Sequence, residues 1–499
     1  MNNMLHDNLT VLPILIPLTG AMITLMLRQT QRLQAGCALG SMILSLAASA
    51  WLTGAVWQGA QPIVFHSGGW SPPFGITLVG DLLSAVFVLM SQLVLTTGII
   101  YAIGSKDAVV KYPTFYPLFL MLATSLTGAI LTGDLFNMYV FAELMVISGT
   151  VLTAVSDDRY GTEAAYKYFY ISLTASFFML FAIGSLYVCY GTLNMADLAE
   201  RIPLDGGQPL LLPGIGFLMA TFMVKSAVFP FHFWQPDFHT AAPTSVSAML
   251  SSVVVKLGIY GFLRMTTLLF VLQAPVIRWI LVVLGVAGVI FGGLSAVGTH
   301  NAKRMLAYST LAQIGFILIG IGWGTPLAIA AAIVFAFNHS LVKAAMLMLA
   351  GYVASRAPVK SAAFDVVTGV GKSIPAAGVL FLIGSLGLAG IPPTNGFISK
   401  MMLFHSGIDA AEFGALLLMA IGSLLTLVYT NRAFIRIWWQ KSHRNNSAKP
   451  TGDHLLAPAI LIVLVLILGL WAEPLVQVAR ETSLWLNSPG LYIQAVLGG

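Results

Sequence analysis

Six ionisable side chains fall inside long apolar stretches of this chain: Glu143, Lys225, Lys256, His339, Lys343 and Lys400. An ionisable group at the centre of a helix in hydrocarbon costs about 2.5–3.5 kcal/mol. The four lysines and the glutamate together would cost on the order of 10 kcal/mol if they faced lipid. They are therefore expected to face protein or water. The chemistry they share is proton exchange, since carboxylate, amine and imidazole each bind and release a proton.

Glu143 sits in the run VFAELMVI and needs a partner, for which Lys225 is the candidate. A neighbouring ammonium favours the charged carboxylate while burial disfavours it, and such opposed pulls let a pair switch protonation. A plain carboxylate bonded to a neighbouring helix is the simpler alternative. Lys256 follows a serine-rich stretch (Ser245, Ser247, Ser251, Ser252) whose hydroxyls could hold water near it or only pack helices closely. His339 and Lys343 are four residues apart, on one face of a helix. Lys400 closes the series. From mid-span, long charged side chains cannot all reach the interface. The expectation is a lateral hydrated row at mid-membrane, in which an opening and closing Glu143–Lys225 pair changes the proton affinity of its neighbours.

The elements that must carry this row are helices. The 499 residues are 58% hydrophobic and only 8% charged, against roughly 25% charged in a soluble domain. Mean hydropathy is +0.88. Apolar runs of about 20 residues recur, which fits helices across a core of about 30 Å and not the alternating strands of a β-barrel. Fourteen spans are expected, at 9–27, 33–57, 78–103, 114–132, 135–155, 165–190, 211–230, 244–270, 276–298, 305–323, 327–353, 375–407, 411–437 and 455–473.

Residues 1–8 carry no basic cluster, so no cleaved leader is expected. With the N-terminus outside, the cytoplasmic ends collect Arg28, Arg32, Lys106, Lys111, Arg159, Lys167, Lys303, Arg304, Arg356, Lys360, Lys372, Arg432, Arg436, Lys441, Arg444 and Lys449. The outside keeps only Arg201, Arg264, Arg278 and Arg480, as the positive-inside rule requires. An even span count returns the C-terminus to the outside. The polar segment 438–454 reads as a cytoplasmic loop, and 474–499 as a short, mildly amphipathic tail.

Two spans are interrupted. One contains Pro230, Pro236 and Pro243 within 225–256, the other Pro392 and Pro393 within 384–400. Proline removes a helical hydrogen bond and clashes with the preceding turn. At membrane depth, such breaks survive where the freed backbone meets protein or water. Broken helices in corresponding positions of two halves point to inverted repeats with the transport site between them. The expected organisation is 1–112 with spans one to three, 113–270 as repeat one, 271–437 as repeat two, and 438–499 with a loop, the last span and the tail. Ordinary proline kinks are the alternative, but each break here lies beside a lysine.

Other residues carry weaker signals. His232, Asp237 and His239 could suggest a metal, though loop contacts account for them more simply. Asp134 reads as a helix cap, Asp157 and Asp158 as a solvated turn, and Arg432 with Arg436 as the cytoplasmic end of span thirteen. Cys37 and Cys189 lack metal spacing and read as small core residues. The basic balance, net +6, is spread over short loops and does not suggest nucleic acid. There is no nucleotide-binding glycine loop, nucleophile elbow or thiolate cluster, so no metal, cofactor or redox centre is expected on this chain.

On these residues the chain resembles the antiporter-like membrane subunits shared by respiratory complex I, membrane-bound hydrogenases and Mrp-type cation/proton antiporters. The resemblance covers roughly 75–440 and rests on Glu143, on FMVKSAVFPFHFWQPDFHTAAPTSVSAMLSSVVVKLGIYGFLR (222–264), on NHSLVKAAMLMLAG (338–351) and on GLAGIPPTNGFISK (387–400). It implies fourteen helices in two five-helix inverted repeats, and proton-translocating roles for Glu143, Lys225, Lys256, His339 and Lys400. GDLFNMYVFAEL (133–144) and GTLNMADLAERI (191–202) are similar to the Mrp D-type subunit, and the short C-terminus departs from the type with a long lateral helix. HFWQPDFHTAAPTS is similar to complex I and hydrogenase subunits too.

The resemblance implies a proton-translocating subunit of a multisubunit Na+/H+ antiporter in a prokaryotic cell membrane, working with other subunits of its complex. A proton-pumping subunit of a redox complex is the alternative, and a non-transporting scaffold is a third. No acidic cluster stands out as a sodium site, since hard cations want several oxygens.

Overall fold

The computed structural model describes residues 8–155, 159–205, 207–441 and 449–498. Asp157, Asp158 and residues 442–448 of the polar loop, Arg444 among them, fall outside the described residues. The chain is a helical bundle: α1 (Leu12–Met26), α2 (Gln31–Gly59), α3 (Leu82–Gly104), α4 (Phe115–Leu131), α5 (Leu135–Ala154), α6 (Arg159–Tyr190) and α7 (Met195–Leu204) form its first half. Then come α8 (Leu211–Lys225), α9 (Trp234–Ala241), α10 (Thr244–Leu269), α11 (Ala274–Gly298), α12 (Ala302–Trp323) and α13 (Pro326–Arg356). The chain ends with α14 (Pro375–Ala389), α15 (Asn395–Asp409), α16 (Phe413–Trp439), α17 (Leu456–Leu470), α18 (Glu473–Leu486) and α19 (Pro489–Leu497).

Among the described residues nine helices are long and apolar enough to cross a bilayer, or ten if α17 and α18 count as one bent span. Four more apolar helices, α1, α4, α8 and α14, are shorter. The chain is an all-α, multi-pass integral membrane protein. Most helices are apolar on every side, as expected where one face meets lipid and the other meets protein.

Polar residues mark where helices begin. Asp81 caps α3, its carboxylate accepting from the Ser84 N–H at 3.0 Å while the Ser84 hydroxyl accepts from the Asp81 N–H at 3.0 Å. Asp134 caps α5, Asn194 α7, Asn301 α12 and Thr325 α13. Gly390 ends α14 at a φ of 81°, a left-handed conformation that glycine adopts at no steric cost.

Burial ranks the helices. In its most apolar stretch α10 is 100% buried and α13 94%, whereas α2 and α16 are each 33% buried. The central helices are therefore those that carry Lys256, His339 and Lys343. α10 also contains two π-helical turns, Leu250–Val254 and Met265–Leu269, on either side of the Lys256–Arg264 segment. Such turns widen the helix locally and recur at functional sites.

Four features depart from the sequence expectations. The span expected from residue 78 begins at Leu82, because residues 77–80 form a strand: β1 (Ile63–His66) pairs antiparallel with β2 (Thr77–Gly80), Ile63 opposite Gly80. The tail is built of two helices, α18 bent 76° from α17, with α19 after it. α7 occupies a stretch expected as a loop. Cys37 and Cys189 are half-buried and free, not core residues. In a membrane bundle the lipid-facing surface is as apolar as the interior, so hydrophobic context does not mean inside.

Candidate functional site

Starting from the first break, the Asp134 cap fixes the start of α5 and sets Glu143 near its middle. One Glu143 carboxylate oxygen accepts a short hydrogen bond from the Ser176 hydroxyl of α6. The same oxygen lies 3.8 Å from Lys225 Nζ, an ion-pair separation. Lys225 is the last residue of α8, where the free carbonyl end of the helix favours a cation. Its side chain is 6% exposed and that of Glu143 23%, so the lysine is enclosed and the carboxylate looks toward the edge of the bundle.

Beyond the break, α8 packs against the Lys256–Arg264 segment of α10, and among the described residues no hydrogen bond joins Lys225 to Lys256. Gly258 lies so close to Phe222 and Ser226 that a side chain there would collide with the Phe222 carbonyl and the Ser226 hydroxyl. α10 can rest on the end of α8 because residue 258 is a glycine. Lys256 Nζ reaches the other way and lies 2.8 Å from His339 Nδ1 on α13. Both residues are buried, at 1% and 4% exposure.

The other imidazole nitrogen, His339 Nε2, has no partner among the described residues. It faces a cavity lined by Gln313, Asn338, His339, Ser399 and Lys400, with room for about one water molecule. Lys400 stands on its far side. Its Nζ donates to the Ala389 carbonyl at 2.9 Å and the Ser423 hydroxyl at 3.1 Å, and lies 4.9 Å from the centre of the Phe316 ring. Ala389 is the last residue of α14, so the second break supplies a helix-end carbonyl where the first supplies a carboxylate. A buried amide bridge holds this break shut: Asn338 donates to the Asn395 carbonyl at 3.0 Å and to the Ser399 hydroxyl at 2.8 Å, and Asn395 Nδ2 donates back to Asn338 Oδ1 at 3.1 Å.

Lys343 is fully buried, one helical turn from His339, and turns toward α12, where it donates to the Leu306 carbonyl at 3.0 Å and the Ser309 hydroxyl at 2.8 Å. The row thus has contacts at Glu143–Lys225 and Lys256–His339, a one-water gap from His339 to Lys400, and Lys343 set to one side.

Some expected positions differ. Pro230 and the Pro392–Pro393 pair lie in the two breaks. Pro236 sits in the first turn of α9, where a missing N–H leaves no helical bond unmade, and Pro243 marks the entry to α10. Among the described residues three of the serine hydroxyls have protein partners other than Lys256: Ser247 pairs with His239, Ser251 with Thr310, and Ser252 with the Ala248 carbonyl. His232, Asp237 and His239 diverge. His232 stacks on Phe229, Asp237 pairs with Lys167 and Arg304, and His239 turns to Ser247. Among the described residues no His, Cys, Asp and Glu cluster suits a metal ion.

Sequence reasoning missed Ser176, Ser309, Asn338, Asn395 and Ser399, which carry no charge to mark them. It also missed the buried Arg264–Asp81 pair, bonded through both guanidinium nitrogens at 2.6 and 2.8 Å and flanked by the Tyr260 and Tyr492 rings.

Interrupted membrane helices around an interior row of lysines, a histidine and a carboxylate define a class of polytopic membrane subunit. The family described as NADH:quinone oxidoreductase/Mrp antiporter, TM, matches residues 132–426, more than half of the chain, and the chain belongs to that family. The D-type subunit of the Na(+)/H(+) antiporter of Alkalihalophilus pseudofirmus is 33% identical over 498 residues, covering 98% of this chain and 99% of the relative. Among solved structures, a chain of the Mrp complex from Dietzia sp. superposes with a TM-score of 0.91 at 26% identity, over 99% of this chain and 100% of that one. A chain of the membrane-bound sulfane sulfur reductase, an archaeal respiratory membrane complex, gives 0.91 at 28% identity, over 98% and 99%.

Proposed function

We propose that this chain is a proton-translocating subunit of a multisubunit Na+/H+ antiporter, with protons passing along Glu143, Lys225, Lys256, His339, Lys343 and Lys400 and the waters between them. The observation that carries the reading is the 2.8 Å contact between Lys256 and His339. It joins the half of the bundle that holds the Glu143–Lys225 pair to the half that holds Lys400. The D-type Na(+)/H(+) antiporter relative, matched end to end, supports the cation as sodium.

In this reading, residues 113–270 and 271–437 form two inverted five-helix repeats within fourteen passes, after three helices in 1–112 and before the loop, last span and tail in 438–499. The basic bias of one set of loops puts both termini outside a prokaryotic cell membrane. Proton transfer begins when the Glu143–Lys225 pair opens. Without its counter-ion Lys225 gives up its proton more readily, and the change is passed to Lys256 and His339. Other subunits of the complex complete the antiporter.

The test uses everted vesicles containing the whole complex, energised and then given NaCl, with a dye for lumen pH. A sodium-dependent collapse of the gradient is expected with the wild type and not with Glu143→Gln, with both complexes assembled. Near-normal exchange by the variant would sink the mechanism. The likeness to a respiratory complex at TM-score 0.91 favours a second reading, proton pumping driven by redox chemistry in partner subunits. No sodium response, but acidification on adding a reduced electron donor, would establish it.

A further inference from the structure

Lys343 has no evident way onward along the row. Its neighbour His339 already gives Nδ1 to Lys256, and among its own partners only the Ser309 hydroxyl can pass a proton on. That hydroxyl has a second neighbour. Tyr429 of α16 donates to Ser309 Oγ at 2.7 Å. Ser309 and Tyr429 are both fully buried between α12 and α16. The Tyr429 hydroxyl also faces Thr426 and Gln313. Gln313, one turn beyond Ser309 on α12, donates to Thr426 at 3.4 Å and lines the cavity that holds Lys400. On α16 Ser423, Thr426 and Tyr429 follow in steps of three, and Ser423 is the hydroxyl that holds Lys400. Hydroxyls thus lead from Lys343 through Ser309 to Tyr429 and Thr426, and Ser423, one turn along α16, holds Lys400.

We propose that Ser309 and Tyr429 form a hydroxyl relay that carries protons between Lys343 and the Lys400 cavity, beside the one-water gap at His339; it rests on the proton-pathway reading above. Once the Tyr429 hydroxyl has turned from Ser309 toward Thr426 and the Ser309 hydroxyl toward Tyr429, Lys343, as the ammonium, gives a proton to the Ser309 oxygen while the hydroxyl's own proton passes to the Tyr429 oxygen. The phenol proton bonds to the Thr426 oxygen, whose own proton turns from the Gly422 carbonyl and passes through an intervening water to the Ser423 hydroxyl, and the proton of Ser423 bonds to the amine of Lys400. Each hydroxyl ends with one proton, as it began, and the positive charge has moved from one lysine to the other. Hydroxyl hydrogens turn about their C–O bonds, so the relay resets and runs in either direction. Phenylalanine at 429 would fill the same space with no buried hydroxyl to satisfy. If the phenol served packing alone, its loss would leave the kinetics of proton transfer unchanged.

The experiment compares Tyr429→Phe with the wild type in the whole complex, reading sodium-driven proton flux in H2O and in D2O. The expected result is normal assembly, flux lower by about tenfold and a larger solvent isotope effect. Wild-type flux and isotope effect in Tyr429→Phe, with Lys400→Ala inactive in the same preparation, would overturn the relay and leave the pathway standing. Normal flux in Lys400→Ala as well would remove the pathway and the relay with it. If Tyr429→Phe fails to assemble, Ser309→Ala, which removes only the middle hydroxyl, is read by the same criteria.

Discussion

The two broken helices solve one problem in different ways. At the first break a lysine ends a helix and faces a carboxylate 3.8 Å away. At the second, among the described residues, the lysine faces no carboxylate: a helix-end carbonyl, a serine hydroxyl and an aromatic ring hold it. An ion pair can be opened or closed by a neighbouring subunit or by a proton, so its strength is variable. A set of fixed neutral dipoles cannot be withdrawn. On the proposed pathway the first break acts as a switch and the second as a fixed terminus.

The largest effect should come from freezing the switch. Lys225→Arg keeps the pair with Glu143 but cannot release a proton, so exchange by the assembled complex should fall on the order of 10²-fold. Initial rates in everted vesicles check this. A wild-type rate would mean that Lys225 only pairs and carries nothing.

Giving the second break the charge it lacks tests the contrast from the other side. Ser423→Asp places a carboxylate where a hydroxyl lies 3.1 Å from Lys400 Nζ. The ammonium form is then held, and exchange should slow by about tenfold. An unchanged rate would show that Lys400 need not release its proton in turnover. The smallest functional effect belongs to the amide bridge that shuts the second break. Asn338→Ala leaves the Asn395 side chain without its partner and should cost about 1–3 kcal/mol of stability, lowering the Tm of the purified complex. Its exchange at permissive temperature should stay within about twofold of wild type. A collapse of exchange at unchanged Tm would move Asn338 from scaffold to pathway.

Charge is what made much of the site readable in advance. Glu143 and the lysines stand out because an ionisable group in an apolar run has to be explained, and the Glu143–Lys225 pairing followed from that demand. The neutral members gave no such signal. A tyrosine or serine in a membrane helix is ordinary, and whether Tyr429 meets Ser309, 120 residues away, depends on how α12 and α16 rotate. The Arg264–Asp81 pair was hidden in the same way, by 183 residues of separation and by positions near span ends where charges are expected. Helical order was legible from apolar runs, and so was the Asp134 cap at the start of span five, but the start of span three was not: Asp81 fixes it by capping. The serines before Lys256 were legible as hydroxyls, but their partners His239, Thr310 and the Ala248 carbonyl were not.

The cavity between His339 and Lys400 admits about one water molecule. A proton crosses such a gap by exchange of bonds, without any nucleus travelling the full distance. A sodium ion has to move as a body and bring oxygen ligands with it, or find them in place along the way. In this conformation the gap therefore favours a proton, which needs no change of ligands, over a sodium ion, which would have to leave its hydration shell beside a buried lysine to enter.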